Sequence, residues 1–274
     1  MSKDINIIEL SKNYGWSGGN NHGALFAQDV KYFLFLNDDV ILESNALYYL
    51  IDSMQRNNQL GAAQPIIINR NNTINRGLGL AFSGLHSSIY YTKEPFYLSG
   101  SALLTRANVF FKIGMFDENF FLYHDDVDYC WRLRLAGYKI TVVKKARAYH
   151  YGSATLGREN PLQYYFVIRN NLWVLIKNSS LLWLPIRLFL MFMETFTGFF
   201  IKTLLIKRNI KYSIVIIRAF LDGIKGLPYA HNERSKVMKY RSIKDKEINK
   251  VMCIYIDISY LFSPLLRILQ ISKN

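Results

Sequence analysis

The chain of 274 residues has only two cysteines, Cys130 and Cys253. Two thiols make no disulfide framework, and a reducing, cytoplasmic-side setting fits best. Acidic residues are short as well: 20 Asp and Glu face 34 Lys and Arg, a formal charge of +14. An excess of that size asks for an anionic partner, whether nucleic acid, an anionic membrane or a phosphorylated substrate. Long charge-free apolar runs are missing too. The most apolar stretch, Leu181–Ile206, is broken by Arg187, Glu194 and Lys202, so nothing approaches the roughly 20 residues that a spanning helix needs. Met1–Leu10 is too short and too polar for a signal peptide. The glycine-rich segment Gly15–Gly23 lacks the Gly-Lys-Ser/Thr ending of a P-loop and is no dinucleotide fingerprint.

What is present is enough for a folded domain. Half the residues are hydrophobic and 15% aromatic, which excludes disorder and allows one sizeable core with an appendage. Up to about residue 160, strand-like and helix-like pieces alternate. Strands are predicted over Ile5–Leu10, Tyr32–Leu36, Ala62–Ile68, Phe96–Thr105 and Lys139–Val143. Helices are predicted near Ala24–Val30, Ser44–Asn57 and Val127–Leu135, the last stopped by Gly137. Glycine- and asparagine-rich connections fill Asn13–Gly23 and Asn69–Gly84. This alternation predicts an α/β sheet with ligands at the carboxyl ends of its strands, where Asp38 and Asp39 stand.

Beyond Pro161 the composition changes, which divides the chain into residues 1–160 and 161–274. The charges within Leu181–Ile206 recur at intervals of seven and eight, within one quadrant of a helix. That pattern suits a helix lying in a membrane interface. Val251–Leu269 is similar, interrupted by Asp257 and Pro264, and His231–Lys250 between them holds seven Lys/Arg against three Asp/Glu, a surface for anionic lipid heads. A helical domain packed on the α/β core is the other reading of the same pattern. The basic residues lie beside apolar helices, not among exposed aromatics of a sheet, which argues against nucleic acid as the partner.

Two acidic clusters about ninety residues apart carry the chemistry. Asn37-Asp38-Asp39 ends an apolar strand, where a carboxylate can hold a divalent cation against phosphate oxygens; a turn or helix cap uses the same residues. Asp125-Asp126-Val127-Asp128 opens a helix. Carboxylates favour that position anyway, but three are more than a cap needs, and crowding raises at least one pKa toward a base's working range. His150, after a strand-like run, is either structural or a third ligand for a divalent ion.

The order and spacing of these segments resemble the family-2 glycosyltransferases of the GT-A fold, in particular their rhamnosyl- and galactofuranosyltransferase-like branch. Asn13-Tyr14-Gly15-Trp16-Ser17-Gly18-Gly19-Asn20-Asn21-His22-Gly23 is similar to that branch's Asn-x-Gly-(aromatic)-x-Gly-Gly-x-Asn-x-Gly loop. Leu36-Asn37-Asp38-Asp39-Val40 resembles its Leu-Asn-x-Asp metal segment. Ser99-Gly100-Ser101, with Gly114–Glu118 and Phe120-Phe121, is similar to its acceptor side. His124-Asp125-Asp126-Val127-Asp128 with Arg132 resembles its Glu-Asp-x-Asp-x-x-x-Arg helix, Asp125 standing for the usual Glu. The match runs over roughly residues 5–175 and includes Tyr164-Tyr165 and Arg169-Asn170.

The resemblance implies a mixed sheet flanked by helices and an inverting transfer from a nucleoside-diphosphate sugar to a hydroxyl of a glycan or lipid-linked acceptor. It implies Asp126 as general base, with Asp125, Asp128, Ser99, Gly100 and Arg132 on the acceptor. Asn13, Gly15, Gly19, Asn21 and Asp38 would face the donor, and Asp39 with His150 would hold Mg²⁺ or Mn²⁺. The expected location is the cytoplasmic face of the membrane. Family members begin with two further strand–helix units that hold the nucleoside, so about 50–60 residues are expected to be missing before Ile5. The sheet would then be incomplete at its N-terminal side, between the Ile5–Leu10 and Tyr32–Leu36 strands. A fragment, a partner chain completing the sheet, and an inactive, non-catalytic relative all remain open on this reading. The expectation for this chain alone is weak or absent binding of nucleotide sugar.

Overall fold

The computed structural model describes residues 5–27, 29–87, 94–152, 160–197 and 210–253. Its centre is β3 (Leu60–Asn69), whose Leu-Gly-Ala-Ala-Gln-Pro-Ile-Ile-Ile run is buried almost throughout. A strand covered on both faces reads as a continuous apolar run, as this one does. β3 pairs in parallel with β8 (Lys139–His150) and antiparallel with β7 (Ala102–Arg106). β1 (Tyr32–Leu36) adds to β7, and β2 (Val40–Leu42) adds to β8, both antiparallel. The path is therefore β1-β7-β3-β8-β2, with the short β4 (Ile74–Asn75) on β3 and a separate ribbon of β5 (Gly79–Leu80) and β6 (His86–Ser87).

The two ends of this path are joined by residues 37–39 alone. Four inter-strand steps in a flat sheet span about 19 Å, whereas the four virtual bonds from Leu36 to Val40 reach about 14 Å at most. The sheet is therefore curled, and Val40, Ile67, Ala102 and Ala148 from β2, β3, β7 and β8 meet inside the curl. Asp38 and Asp39 stand at its mouth.

α2 (Ala46–Arg56) packs on one face through Ala46, Leu50 and Met54, spaced four apart. The other face carries α3 (Ala107–Lys112), the single-turn η1 (Glu118–Phe120) and α4 (Asp125–Leu135). α4 is buried all round apart from Asp126, because α5 (Pro161–Asn178) and α8 (Leu227–Tyr240) cover its far side. Phe120, Trp131, Trp173, Ile216 and Val237 thus share one apolar cluster. α6 (Leu184–Glu194), α7 (Ile210–Lys225) and α9 (Asp245–Lys250) complete the described C-terminal part. Asn160 accepts the amide of Leu162 and Pro161 takes the first turn, a strong start for α5.

The structure departs from the sequence expectations in four places. Residues 5–10 form no strand, and Ile5 and Ile7 are 78% and 85% exposed; apolar alternation makes a strand only where an edge accepts its hydrogen bonds. Asn13–Gly23 is not a loop: α1 spans Gly15–Phe26, so it begins nine residues before the helix expected at Ala24–Val30 and ends at Phe26. The expected strand Phe96–Thr105 is regular only from Ala102. β8 continues seven residues past Val143, since the register shift between Pro65 and Ile66 lets Lys144–Ala146 bulge out and pairing resume at Arg147. Within the expected apolar stretches, 198–206 and 254–269 lie outside the described residues.

Candidate active site

The curl brings Asp39 and His150 together. Val40 pairs with His150 across β2 and β8, the Tyr151 amide donates to the Asp39 carbonyl (3.0 Å), and Asp39 Oδ1 lies 3.2 Å from His150 Nε2. Asp39 Oδ1 is buried and has no hydrogen-bond donor. A buried carboxylate oxygen without a donor, facing an imidazole nitrogen, is a pair whose lone pairs fit a divalent cation. Among the described residues no group of three or more His, Cys, Asp and Glu converges, so a cation here would complete its shell with diphosphate oxygens and water. Asp38, next to it, is exposed.

The second cluster opens α4. Asp126 Oδ2 accepts the Gly100 amide at 3.2 Å and its Oδ1 accepts the Val127 amide at 2.8 Å. Burial still outweighs these bonds and pushes the carboxyl up to about 6. Asp125 is pushed higher, first by burial and then by the charge of Asp126, although Ser17 Oγ donates to its Oδ2 at 3.3 Å. One acid of the pair thus stays protonated near neutral pH while the other is close to its titration point, the arrangement a general base needs.

Covalent and hydrogen-bonded steps connect the two clusters. Gly100 precedes Ser101, whose carbonyl accepts the Asn37 amide at 3.0 Å. Trp16 Nε1 donates to Asn37 Oδ1 at 2.8 Å. The Trp16 ring lies against Gly100, where a Cβ would come 2.9 Å from the ring, and edge-on to Phe116 at 4.8 Å. Ser99 Oγ and Ser101 Oγ are 2.9 Å apart, and the Ser99 amide donates to Gln64.

The glycine-rich segment serves this junction as a helix. Asn13 Oδ1 accepts the Gly15 amide, and Gly15, at φ +72°, sits so close to the Phe121 carbonyl that a Cβ would be 2.3 Å from it. Asn21 is buried and brackets residue 116, donating to the Phe116 carbonyl at 2.8 Å and accepting its amide at 3.1 Å. A Cβ on Gly19 would meet nothing within 4 Å. Asn13, Gly15 and Asn21 therefore build the wall, while Gly19 and Asp38 are placed toward open space.

Asp128 and Arg132 lie in the interior. Asp128 is fully buried and accepts Arg132 Nε at 2.7 Å and Asn178 Nδ2 at 2.9 Å, with Lys177 Nζ at 3.1 Å. Lys177 also pairs with Asp117, which accepts the Tyr229 hydroxyl as well. Arg132 donates to the carbonyls of Ile113 and Met115, both at 2.6 Å. These two residues tie α4 to α5, α8 and the 113–117 turn, and no open surface reaches Asp128. Before α4, Phe121, Tyr123 and His124 all have positive φ, a conformation that costs about 1–3 kcal/mol per non-glycine residue. His124 is buried, its Nε2 has no partner, and burial lowers it to about 4, so it is neutral. Ser17 and Lys177 carry no role in the sequence reading and Trp16 only the aromatic place of the Asn13–Gly23 motif; their partners across the fold mark them.

Comparison with known proteins gives the family and the fold. The profile of the family described as glycosyl transferase family group 2 matches residues 32–223. The chain is 28% identical over 182 residues to the low-salt glycan biosynthesis hexosyltransferase Agl10 of Haloferax volcanii, covering 61% of this chain and 59% of that protein. It is 27% identical over 146 residues to the N-acetylglucosaminyl-diphospho-decaprenol L-rhamnosyltransferase of Mycobacterium tuberculosis (45% and 48%), and 25% identical over 242 residues to the dTDP-rhamnosyl transferase RfbF of Shigella flexneri (81% and 79%). The chain thus spans about half to three-fifths of the length of the first two. Among solved structures, S. aureus TarS 1-349 matches with a TM-score of 0.51 at 16% identity, over 84% of this chain and 70% of that one. GalNAc-T7 with UDP, GalNAc and Mn2+ matches with a TM-score of 0.51 at 14% identity, over 62% and 36%. The shared fold is the GT-A arrangement of a mixed sheet flanked by helices. On the match over residues 32–223, the chain belongs to the family-2 group of glycosyltransferases.

Proposed function

We propose that this chain transfers a sugar from a nucleoside-diphosphate sugar to a hydroxyl of a glycan or lipid-linked acceptor, with inversion at the anomeric carbon. The observation that carries the reading is Asp126: a carboxyl raised toward neutrality, held by the Gly100 amide, one hydrogen-bonded junction away from Asp39 and His150. In the reaction, the acceptor oxygen bonds to the anomeric carbon as the bond to the diphosphate oxygen breaks, and Asp126 takes the hydroxyl proton. Asp125, protonated, keeps a second negative charge away from that proton transfer. Asp39 and His150 would hold Mg²⁺ or Mn²⁺, which when bound offsets the charge building on the leaving diphosphate. The RfbF and mycobacterial likenesses favour a deoxyhexosyl donor and an acceptor on a lipid diphosphate. Among the described residues β1 pairs only with β7, and its other edge is where a strand from a partner chain would complete the nucleotide side.

In the same reading, residues 161–274 seat the chain on the cytoplasmic face of a membrane. Among the described residues no helix is long and apolar enough to cross one. Ile210, Ile214, Ile217, Leu221 and Ile224 form an exposed stripe along α7, and Ile186, Phe189 and Phe192 are exposed on α6. Arg218 and Lys225, three-quarters exposed and paired with Asp222 at 3.6 and 3.1 Å, flank the α7 stripe, and together they leave a net positive border toward anionic headgroups.

The test is transfer by the full chain from a panel of dTDP-, UDP- and GDP-sugars to a polyprenyl-diphosphate sugar in anionic vesicles, with Mg²⁺ or Mn²⁺ and with chelator. Metal-dependent product formation supports the reading. Vesicle binding with no turnover on any donor would leave a non-catalytic, membrane-bound subunit instead.

A further inference from the structure

Asp125 and Asp126 owe their position to the loop Asn119–His124, which is held against its own backbone preference. Three of its residues, Phe121, Tyr123 and His124, have φ between 64° and 67°, and none is glycine. Two adjacent side chains of α5 receive four of the carbonyls of residues 119–123. Asn170, fully buried, donates through Nδ2 to the carbonyls of Phe120 (3.0 Å), Leu122 (2.8 Å) and Tyr123 (2.8 Å). Arg169 donates through Nη2 to the carbonyls of Asn119 (3.0 Å) and Phe120 (2.9 Å), and through Nε to Asn170 Oδ1 (2.9 Å). The guanidinium lies over the rings of Tyr165, Phe166 and Trp173, at 5.4, 5.0 and 4.5 Å, which fixes its plane. The carbonyl of Phe121 accepts the Trp16 amide at 2.8 Å. Every carbonyl from Asn119 to Tyr123 thus has a donor, and buried carbonyls without one are costly.

We propose that Arg169 and Asn170 are positioning residues for sugar transfer: by capturing the carbonyls of residues 119–123 they fix where α4 begins and where Asp125 and Asp126 stand against Gly100 and Ser17. The kinetic consequence rests on the glycosyltransferase reading; the geometric one does not. The clamp also stands on the helix that docks the C-terminal part. Tyr165 Oη donates to Asp222 of α7 and Trp173 Nε1 to the Gly223 carbonyl, both at 2.9 Å.

The experiment uses the full chain with Asn170→Asp, Arg169→Ala and Arg169→Lys. Leu50→Ala, in the separate cluster against α2, is the control for a general loss of stability. Asn170→Asp keeps the volume but replaces the donor with a carboxylate facing three carbonyls. Two readouts are taken: kcat and KM for the sugar nucleotide that supports transfer, and the titration of the Asp125–Asp126 pair by carboxyl carbon-13 NMR. Displacement of reacting groups by about 1 Å costs on the order of 100-fold in rate. Asn170→Asp and Arg169→Ala are expected to lose about that much kcat with donor KM within about twofold and to shift the carboxyl titration, while Arg169→Lys, which keeps the charge but loses the planar fork, recovers only part of the Arg169→Ala loss. Leu50→Ala is expected to keep both. Unchanged carboxyl titration in the folded variants, or an equal kcat loss in Leu50→Ala, overturns the proposal. Should Asn170→Asp not fold, the Arg169 pair decides in the same way. Absence of turnover in the unaltered chain would refute the transferase reading, and the titration would still decide the clamp.

Discussion

Replacing Lys177 by Met removes the ammonium that pairs with both Asp117 and Asp128. Lys177 is 1% exposed, Asp128 fully buried, and the Asp117 side chain 9% exposed. Burial alone would raise Asp117, but the charge and hydrogen bond of Lys177, with the Tyr229 hydroxyl, reverse this and bring it to about 2. The fall from 3.8 to about 2, at about 1.4 kcal/mol per pH unit, corresponds to about 2 kcal/mol of stability. Because the folded value lies below the unfolded one, that stability is present above pH 3.8 and is lost as pH falls toward 2. In Lys177→Met burial acts without its main opponent, so Asp117 moves upward. Its contribution to stability above pH 3.8 then shrinks, because the Tyr229 hydroxyl and the Arg132 charge alone oppose burial. Breaking a buried pair costs about 3–5 kcal/mol near neutral pH, and this deficit should shrink by about 1 kcal/mol at pH 3, where the unfolded carboxyl is mostly protonated and the folded one still ionised. Urea unfolding followed by tryptophan fluorescence at pH 7, 5 and 3 measures it. A deficit of the same size at all three values would refute the reasoning, and a deficit under about 1 kcal/mol at pH 7 would show that the pair is not buried in solution.

Further outcomes follow from the site. The transfer rate should fall as pH drops through about 6, where Asp126 takes up its proton; a rate flat from pH 8 to 5 would remove Asp126 as base. Gly100→Ala puts a Cβ 2.9 Å from the Trp16 ring and disturbs the amide that steadies the Asp126 anion, so the acid limb of the pH profile should move to higher pH. Trp16→Phe loses the 2.8 Å bond to Asn37, a loss of about 1 kcal/mol, read as a several-fold rise in KM for the sugar nucleotide. Ile214→Glu with Ile217→Glu should abolish flotation with anionic vesicles while leaving thermal stability near its original value, since both side chains are exposed; unchanged flotation would clear α7 of lipid contact.

Where local pattern and tertiary structure agree, the sequence was readable. β1, α2 and α4 appear within two residues of expectation because their apolar spacing matches one period and their ends carry breakers such as Gly137. α1 was not readable: Gly-Trp-Ser-Gly-Gly-Asn-Asn-His-Gly has poor helix propensity, and contacts far away in the chain hold it, from Asn21 to Phe116 and Ser17 to Asp125. Ile5–Leu10 failed for the converse reason, a strand pattern with no described partner edge. Asp128 and Arg132 show the limit for sites. An i, i+4 acid–base pair on a helix looks the same in sequence whether it faces a substrate or the interior, and only Lys177 and Asn178, about fifty residues on, reveal the second. Asp39 and His150 were legible as residue types, whereas their 3.2 Å approach depends on the bulge in β8.

Asp126→Asn tests the proposed chemistry most directly, because it keeps the shape of the side chain and removes the proton acceptor, with the loss of one of the two amide hydrogen bonds from Gly100 and Val127. Single-turnover transfer of a radiolabelled sugar should fall by about 10²–10⁴-fold, with nucleoside-diphosphate binding in the presence of Mn²⁺ unchanged. A variant that transfers sugar at the rate of the unaltered chain would mean that the base, and with it the proposed site, lies elsewhere.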